Sequence, residues 1–158
     1  MLDKTKTIDG VESRVVEDRE ETSGQLAELT LDYYAIDRAT NDVYYMGEDV
    51  SEYKHGKLTG HDGGWLSGVN GATFGMMLPG TPRTGQRFYQ EQAAKAKDRI
   101  EIKSTSEKIT TPAATFDHCI VVEESSPLEK GVDKKWYAPG VGPVKDAEME
   151  LVSHQQKH

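Results

Sequence analysis

The residues whose types could do chemistry form two adjacent pairs in the first half of the chain. Glu48 and Asp49 are neighbouring carboxylates, and His61 and Asp62 follow about a dozen positions later. Neighbouring carboxylates can raise one pKa for general-acid work or hold a hard cation, and a histidine beside a carboxylate can form an acid/base pair. Solvated charges at a strand end and a turn explain the same residues without chemistry.

A glycine-rich stretch, HDGGWLSGVNGATFGMMLPG at residues 61–80, contains six glycines. Their spacing follows neither of the glycine patterns that bind phosphate, and no lysine is nearby. Between Gly63 and Gln90 the chain has no aspartate or glutamate, although it carries 27 in 158 residues. Either the segment is buried across the sheet as a plug, or it lines an apolar cleft for a ligand or partner. The residues that would line such a cleft are Trp65, Phe74, Met76, Met77 and Leu78.

Other combinations of reactive residues do not indicate a catalytic or metal site. His118 and Cys119 are adjacent, but neighbouring residues of a strand point to opposite faces, so the imidazole cannot activate the thiol. The pattern favours a buried cysteine in an apolar strand. The five histidines match no metal-binding motif, so we assign neither a catalytic residue, nor a metal ligand, nor a cofactor.

Composition limits the partners that the chain can have. With 19 basic and 27 acidic residues the net charge is −8, which repels nucleic acid and anionic lipid. No apolar run approaches the length of a membrane helix, and MLDKTKTIDG lacks the apolar core of a secretion signal. We therefore expect neither nucleic-acid binding nor membrane insertion.

The apolar residues alternate with period two along most of the chain, which predicts strands. Residues 11–20 read as an edge strand, DRATND as the joint of a hairpin, and His55-Gly56 as a two-residue hairpin turn. FDHCIVVEE reads as a central strand that is covered on both faces. We predict one all-β domain over residues 1–158, with frayed tails at 1–10 and 153–158. Its fold would be an antiparallel curved meander or partly open half-barrel of about seven to nine strands with little helix.

Several motifs resemble a family of uncharacterised bacterial extracytoplasmic domains, often found in lipoproteins. They are GED at 47–49, the tryptophan after the glycines, SSPLEKGV, and YAPGVGPVK, within a match over residues 5–152. The resemblance implies a curved antiparallel sheet, an extracytoplasmic location and no assigned activity. Family members usually begin with a signal and an additional N-terminal strand. Their absence here would leave a sheet edge uncovered and favour a homodimer.

The sequence predicts a non-catalytic β domain that binds a small apolar ligand or a partner through residues 60–85. One alternative is a small hydrolase- or isomerase-like enzyme that uses His61, Asp62 and Glu48. The other is a structural domain that self-assembles through a sheet edge. The candidate ligand-binding residues are Glu48, Asp49, His61, Asp62, Trp65, Phe74, Met76 and Met77.

Overall fold

A computed structural model describes residues 1–155 of the 158-residue chain and contains no helix in that range. The chain divides into two compact units. Unit 1 comprises residues 1–80 and 89–97, and unit 2 comprises residues 81–88 and 98–158. The prediction of one domain stays a prediction. The end of the predicted C-terminal tail, residues 156–158, lies outside the described residues.

Unit 1 is an antiparallel sheet built mainly from consecutive hairpins. Its strands are β1 (Thr5–Ile8), β2 (Val11–Thr22), β3 (Gln25–Ile36), β4 (Val43–Lys54), β5 (Lys57–Gly60), β6 (Trp65–Leu66), β7 (Thr73–Leu78) and β9 (Glu91–Gln92). Their order is β1-β2-β3-β4-β7-β9, and β5 and β6 also pair with β4. The long strand β4 therefore pairs with β3, β5, β6 and β7, and it holds several of the site residues described below.

Short turns with left-handed backbone join the first hairpins. His55 and Gly56 have φ of 51° and 72° between β4 and β5, which confirms the predicted two-residue turn. Asp9 and Gly10 make the same kind of turn between β1 and β2, with φ of 49° and 77°. The predicted hairpin around DRATND is confirmed as the pairing of β3 with β4.

Unit 2 contains a second antiparallel sheet. Its strands are β8 (Arg87–Tyr89, of which Tyr89 belongs to unit 1), β10 (Arg99–Thr110), β11 (Thr115–Ser125), β12 (Asp133–Ala138), β13 (Gly142–Asp146) and β14 (Met149–Glu150). The strand order is β14-β13-β12-β11-β10-β8. Strand β11, which carries FDHCIVVEE, lies between β10 and β12, so its predicted central position is confirmed.

Each unit has its own apolar core. In unit 1 the buried side chains of Ile8, Val15, Tyr33 and Met46 form one cluster. In unit 2 a cluster of Cys119, Ala138 and Val144 is buried, and the neighbouring Val122 is fully buried as well. Burial of one such large aliphatic side chain contributes about 1.5–3 kcal/mol.

The all-β antiparallel fold is confirmed, and three details are wrong. Fourteen strands are present within residues 1–155, more than were predicted, in part because residues 85–92 and 141–153 each contain two short strands where the alternation indicates one. The prediction of residues 11–20 as an edge strand is wrong for residues 11–14, which pair with β1. The predicted frayed tail at 1–10 is wrong for residues 5–8, which form β1 and bury Ile8.

Candidate functional site

Unit 1 contains a cleft beside the glycine-rich segment. Its volume is about 380 Å³. The residues that line it are Asp49, Gly63, Gly64, Trp65, Leu66, Val69, Asn70, Ala72, Ala93, Ala94 and Lys95. Most of these residues are apolar or glycine, and the polar ones are an aspartate, an asparagine and a lysine. Such a cleft falls within the size range of small-molecule sites.

Two glycines of this region are needed because backbones approach closely. Gly47 has φ of 141°, and a side chain there would overlap the carbonyl oxygen of Trp65 in β6. At Gly75, a Cβ would overlap the backbone of Tyr89 and Gln90. The absence of a side chain at Gly47 lets β6 lie against β4, and its absence at Gly75 lets residues 89–90 lie against β7.

The glycine-rich segment is neither a buried plug nor wholly a cleft wall. Trp65 and Ala72 are buried and line the cleft, whereas Phe74 is 44% exposed. The plug interpretation is therefore wrong for the segment as a whole, and the cleft interpretation fits only its first part.

Predicted residues in β7 lie outside the cleft. Phe74 packs edge-on against Tyr44, with ring centroids 5.7 Å apart. Met76 is half-buried opposite Tyr44 in β4. Met77 accepts a hydrogen bond on its sulfur from Gln90 Nε2 at 2.9 Å. These residues hold β7 in the sheet and do not line the cleft.

Asp49 is the carboxylate of the cleft, and it has two polar partners. Its Oδ2 accepts hydrogen bonds from Tyr33 and from Lys6, the latter at 2.8 Å. Burial, the largest single influence, would raise the pKa of Asp49. Together the hydrogen bonds from Lys6 and Tyr33 and the charge of Lys6, with a smaller contribution from the nearby His61, outweigh it and lower that pKa. The cleft therefore contains an ionised, firmly held carboxylate.

His61 and Asp62 have separate partners at the entrance to the glycine-rich segment. His61 Nδ1 donates to the carbonyl oxygen of Val50 at 2.7 Å. Asp62 pairs with Lys95 at 2.6 Å, and the hydrogen bond from that lysine lowers the pKa of the exposed carboxyl. This ion pair links the glycine-rich segment to the wall formed by residues 93–95.

Glu48 lies on the opposite face of β4 from Asp49, where it meets a second carboxyl. The Tyr45 hydroxyl is 2.6 Å from Asp32 Oδ1 and 3.0 Å from Glu48 Oε2. In a regular strand Tyr45 and Glu48 would point to opposite faces, because they are three positions apart. A register shift in the β3–β4 pairing, beside Gly47, brings them to one face.

The pKa values of this cluster are raised. Burial, joined by the charges of Asp32 and Glu28, raises the pKa of Glu48 to about 7, although the hydrogen bond from Tyr45 opposes the rise. Burial also raises the pKa of Asp32 and keeps the proton on the Tyr45 hydroxyl. We call Asp32, Tyr45 and Glu48 the carboxyl cluster.

Trp65 connects the carboxyl cluster to the cleft. It pairs with Glu48 across β4 and β6, lines the cleft, and packs edge-on against Tyr45 at 5.3 Å between ring centroids. Its Nε1 is the one buried side-chain nitrogen or oxygen in the described part of the chain with no hydrogen-bond partner. It nonetheless lies close enough to the Glu48 carboxyl to oppose the rise in that group's pKa.

Sequence reasoning missed Asp32, Tyr45, Lys6, Tyr33 and Lys95. The sequence carries one signal for Asp32, a carboxylate within the otherwise apolar and aromatic run LTLDYYAI. Nothing local indicates the other four. The partners of Lys6, Tyr33 and Lys95 are distant in sequence, and Tyr45 and Glu48 are three positions apart, which predicts opposite faces of a strand. Within residues 1–155, no group of three or more histidine, cysteine, aspartate or glutamate side chains is arranged to hold a metal ion.

The structure agrees with the expectation for the neighbouring His118 and Cys119 in unit 2. The cysteine is fully buried and the histidine is exposed. Burial raises the pKa of the Cys119 thiol, which makes it a poor nucleophile.

Comparison with family models, with curated proteins and with solved structures finds no match to this chain. The resemblance to extracytoplasmic lipoprotein-type domains stays a prediction. Residues 1–155 include no helix with the length and apolar character of a membrane span.

Proposed function

We propose that unit 1 binds a small apolar molecule in the cleft beside Trp65. The observation that supports this function most strongly is the lining of the cleft. Val69, Ala72, Ala93 and Ala94 present small apolar groups, and Gly63 and Gly64 add backbone without side chains. A volume of about 380 Å³ suits a small molecule and is too small for a folded partner.

The few polar groups of the cleft would orient such a ligand. Asp49 is ionised and is held by Lys6 and Tyr33, so it can accept a hydrogen bond from a ligand donor without moving. Lys95 at the opposite wall is already paired with Asp62. The preferred ligand is therefore mostly apolar, with a hydrogen-bond donor at one end.

The uncharged fluorescent probe N-phenyl-1-naphthylamine tests this function. The chain has two tryptophans, so the Trp136→Phe variant leaves Trp65 as the only indole. Binding in the cleft then brings the probe next to Trp65 and transfers excitation energy from the indole to it. We expect saturable transfer with a Kd in the micromolar range, on the order of 10 μM, as for a small ligand that buries mainly apolar area.

A pair of matched variants locates the binding site. Ala94→Phe places a ring in the cleft, and Ala39→Phe places the same ring on an exposed turn of unit 1. We expect at least about tenfold weaker binding for the first and unchanged binding for the second. Absence of saturable transfer, or equal affinity in both variants, contradicts the proposed function.

Two other predictions retain their own tests. The three residues of the enzyme alternative contact different partners: Glu48 contacts Tyr45, His61 contacts Val50 and Asp62 contacts Lys95. The structure therefore gives no contact among these three side chains that would support the enzyme alternative. Self-association through a sheet edge predicts a dimer by light scattering at high protein concentration, and a monomer would contradict it.

A further inference from the structure

The carboxyl cluster contains one hydrogen fewer than its contacts need. A tyrosine hydroxyl carries one hydrogen and can donate to one acceptor. Tyr45 is within hydrogen-bond distance of both Asp32 and Glu48. If both carboxyls were ionised, one of them would have an oxygen next to the Tyr45 hydroxyl oxygen with no hydrogen between the two. Both contacts are hydrogen bonds only if one carboxyl is protonated and donates to Tyr45.

The two distances indicate which carboxyl holds the proton. Hydrogen bonds to an ionised acceptor are shorter than those between neutral groups. The contact of 2.6 Å leads to Asp32 and that of 3.0 Å leads to Glu48. When Glu48 is protonated, Tyr45 donates to Asp32 through the shorter contact and accepts from Glu48; when Glu48 is ionised, it competes with Asp32 for the Tyr45 hydrogen.

Within residues 1–155, no cation forms an ion pair with Asp32 or Glu48 that could take the place of this proton. From β3, Glu28 and Asp32 act on Glu48, and from β2, Asp18 acts on Asp32. Tyr45 of β4 is a neutral donor, flanked by Tyr34 of β3, with which it stacks at 5.0 Å. From β6 the neighbour is the neutral Trp65 indole.

The cations of the same sheet face make no ion pair with the cluster. Arg14 of β2 lies opposite Tyr34, and Lys54 lies at the far end of β4 opposite Lys57. Neither forms a salt bridge with Asp32 or Glu48. A proton on Glu48 is thus the means of neutralising the pair.

Glu48 does not line the cleft itself, so loss of that proton would act on the cleft through Trp65, its partner in β6. Asp32 and Glu48 are directly opposite one another in the β3–β4 register, where two like charges repel. Glu48 also pairs with Trp65 across β4 and β6, and the next residue, Asp49, lines the cleft. Trp65 Nε1–H lies near the Glu48 carboxyl without a hydrogen bond of ordinary geometry, and an ionised Glu48, as the stronger acceptor, would draw the indole towards it.

We propose that the cleft binds its ligand in a proton-linked manner, tightly when Glu48 is protonated and weakly when Glu48 is ionised. This inference rests on the function proposed above and assigns its regulation to the carboxyl cluster. Binding and protonation then favour one another, since linkage between two binding equilibria is reciprocal. The ligand raises the pKa of Glu48, and the proton raises the affinity for the ligand.

The affinity of N-phenyl-1-naphthylamine between pH 5.5 and 8.5 tests the linkage, because the probe is uncharged over that range. If only the protonated protein binds, affinity falls by up to about thirtyfold over this interval, with a midpoint near pH 7. Glu48→Gln cannot ionise and should bind at every pH as the unchanged protein does at pH 5.5. Asp32→Asn removes the opposing charge and should shift the midpoint to lower pH.

A second measurement follows the proton itself. Carbon-13 NMR of the glutamate carboxyls should show one resonance that titrates near pH 7 and is missing in Glu48→Gln. Absence of such a resonance overturns the inference. Probe binding of equal strength at pH 5.5 and 8.5, or the same pH dependence in Glu48→Gln, overturns it while leaving the proposed function intact. No probe binding at any pH contradicts the proposed function itself.

Discussion

Each unit contains two half-buried carboxyls on nearby strands of its sheet, adjacent in unit 1 and on either side of β12 in unit 2, but the two units neutralise them differently. In unit 2, Lys135 of β12 pairs with Glu124 of β11 at 2.8 Å and with Asp146 of β13 at 3.2 Å. In unit 1, Asp32 and Glu48 share only the hydroxyl of Tyr45. A lysine keeps its charge throughout the physiological pH range, whereas a carboxyl that depends on a proton does not.

The pKa values reflect this difference. Burial favours the neutral form of Glu124, and the charge and hydrogen bond of Lys135 partly offset that effect. Burial would lower the pKa of Lys135, but Glu124 and Asp146 together raise it, so the lysine stays protonated. No such cation acts on Glu48, whose pKa is raised to about 7. The cluster in unit 2 is therefore fixed, and the one in unit 1 responds to pH.

The variant with the largest expected effect removes the lysine of unit 2. Lys135→Met leaves Glu124 and Asp146 without their counter-ion, which should lower the free energy of unfolding by about 3 kcal/mol at pH 8. Without the lysine the pKa of Glu124 rises further, so the deficit should shrink as pH falls and that carboxyl takes up a proton. Denaturant unfolding followed at several pH values measures both effects.

Lys130→Met is the matched control for that prediction, because Lys130 is an exposed lysine of the same unit. It should change stability little at any pH. A deficit in Lys135→Met that is equally large at pH 5 and pH 8 would show that lost packing, rather than unpaired carboxyls, causes the effect.

An effect of opposite sign, and at most of similar size, is expected at Glu48. The folded-state pKa of Glu48 lies above its ordinary value of 4.5, so the stabilisation due to its proton is complete below pH 4.5 and is lost as pH rises through 7. Glu48→Gln has no proton to lose. Relative to the unchanged protein it should gain stability over that interval, by up to about 3 kcal/mol above pH 7.

Denaturant midpoints between pH 4.5 and 8.5 test the Glu48 prediction, with Glu12→Gln as control. Glu12 is an exposed glutamate of β2, and the same substitution there should leave the pH profile unchanged. Parallel profiles for Glu48→Gln and the unchanged protein would mean that Glu48 does not titrate abnormally and that the contrast between the units is absent.

The smallest effect is expected at the exposed ion pair of the cleft entrance. Lys95→Met breaks a 2.6 Å contact with Asp62, in which both side chains are mostly exposed. Exposed pairs gain little because water and salt screen them. We expect no measurable change in Tm. A marked fall in Tm would show that this exposed ion pair contributes substantially to the stability of unit 1.

The sequence was sufficient for the strands and for several turns, because these depend on local patterns. Alternation of apolar residues and the His55-Gly56 pair each act within a few positions. His118 is exposed and Cys119 is buried, as expected, but His118 has a left-handed φ of 58° at an irregularity of the β10–β11 pairing, which alternation does not predict.

The carboxyl cluster could not be predicted, because it depends on a register that is not local. Alternation places Tyr45 and Glu48 on opposite faces, and only the register shift beside Gly47 reverses this. The partner carboxyl, Asp32, comes from another strand, and Lys95 reaches Asp62 across 33 positions of sequence. The division into two units also leaves no compositional signal, since both halves alternate in the same way.

The interleaving of the units has a consequence for synthesis on the ribosome. Residues 81–88 belong to unit 2, yet the chain then returns to unit 1 for residues 89–97, which supply β9 and the Ala93–Lys95 wall of the cleft. The first 80 residues therefore emerge before the cleft can be complete. A nascent chain of that length exposes the edge of β7 that β9 later covers, and translation must pass Lys95 before all residues that line the cleft have been made.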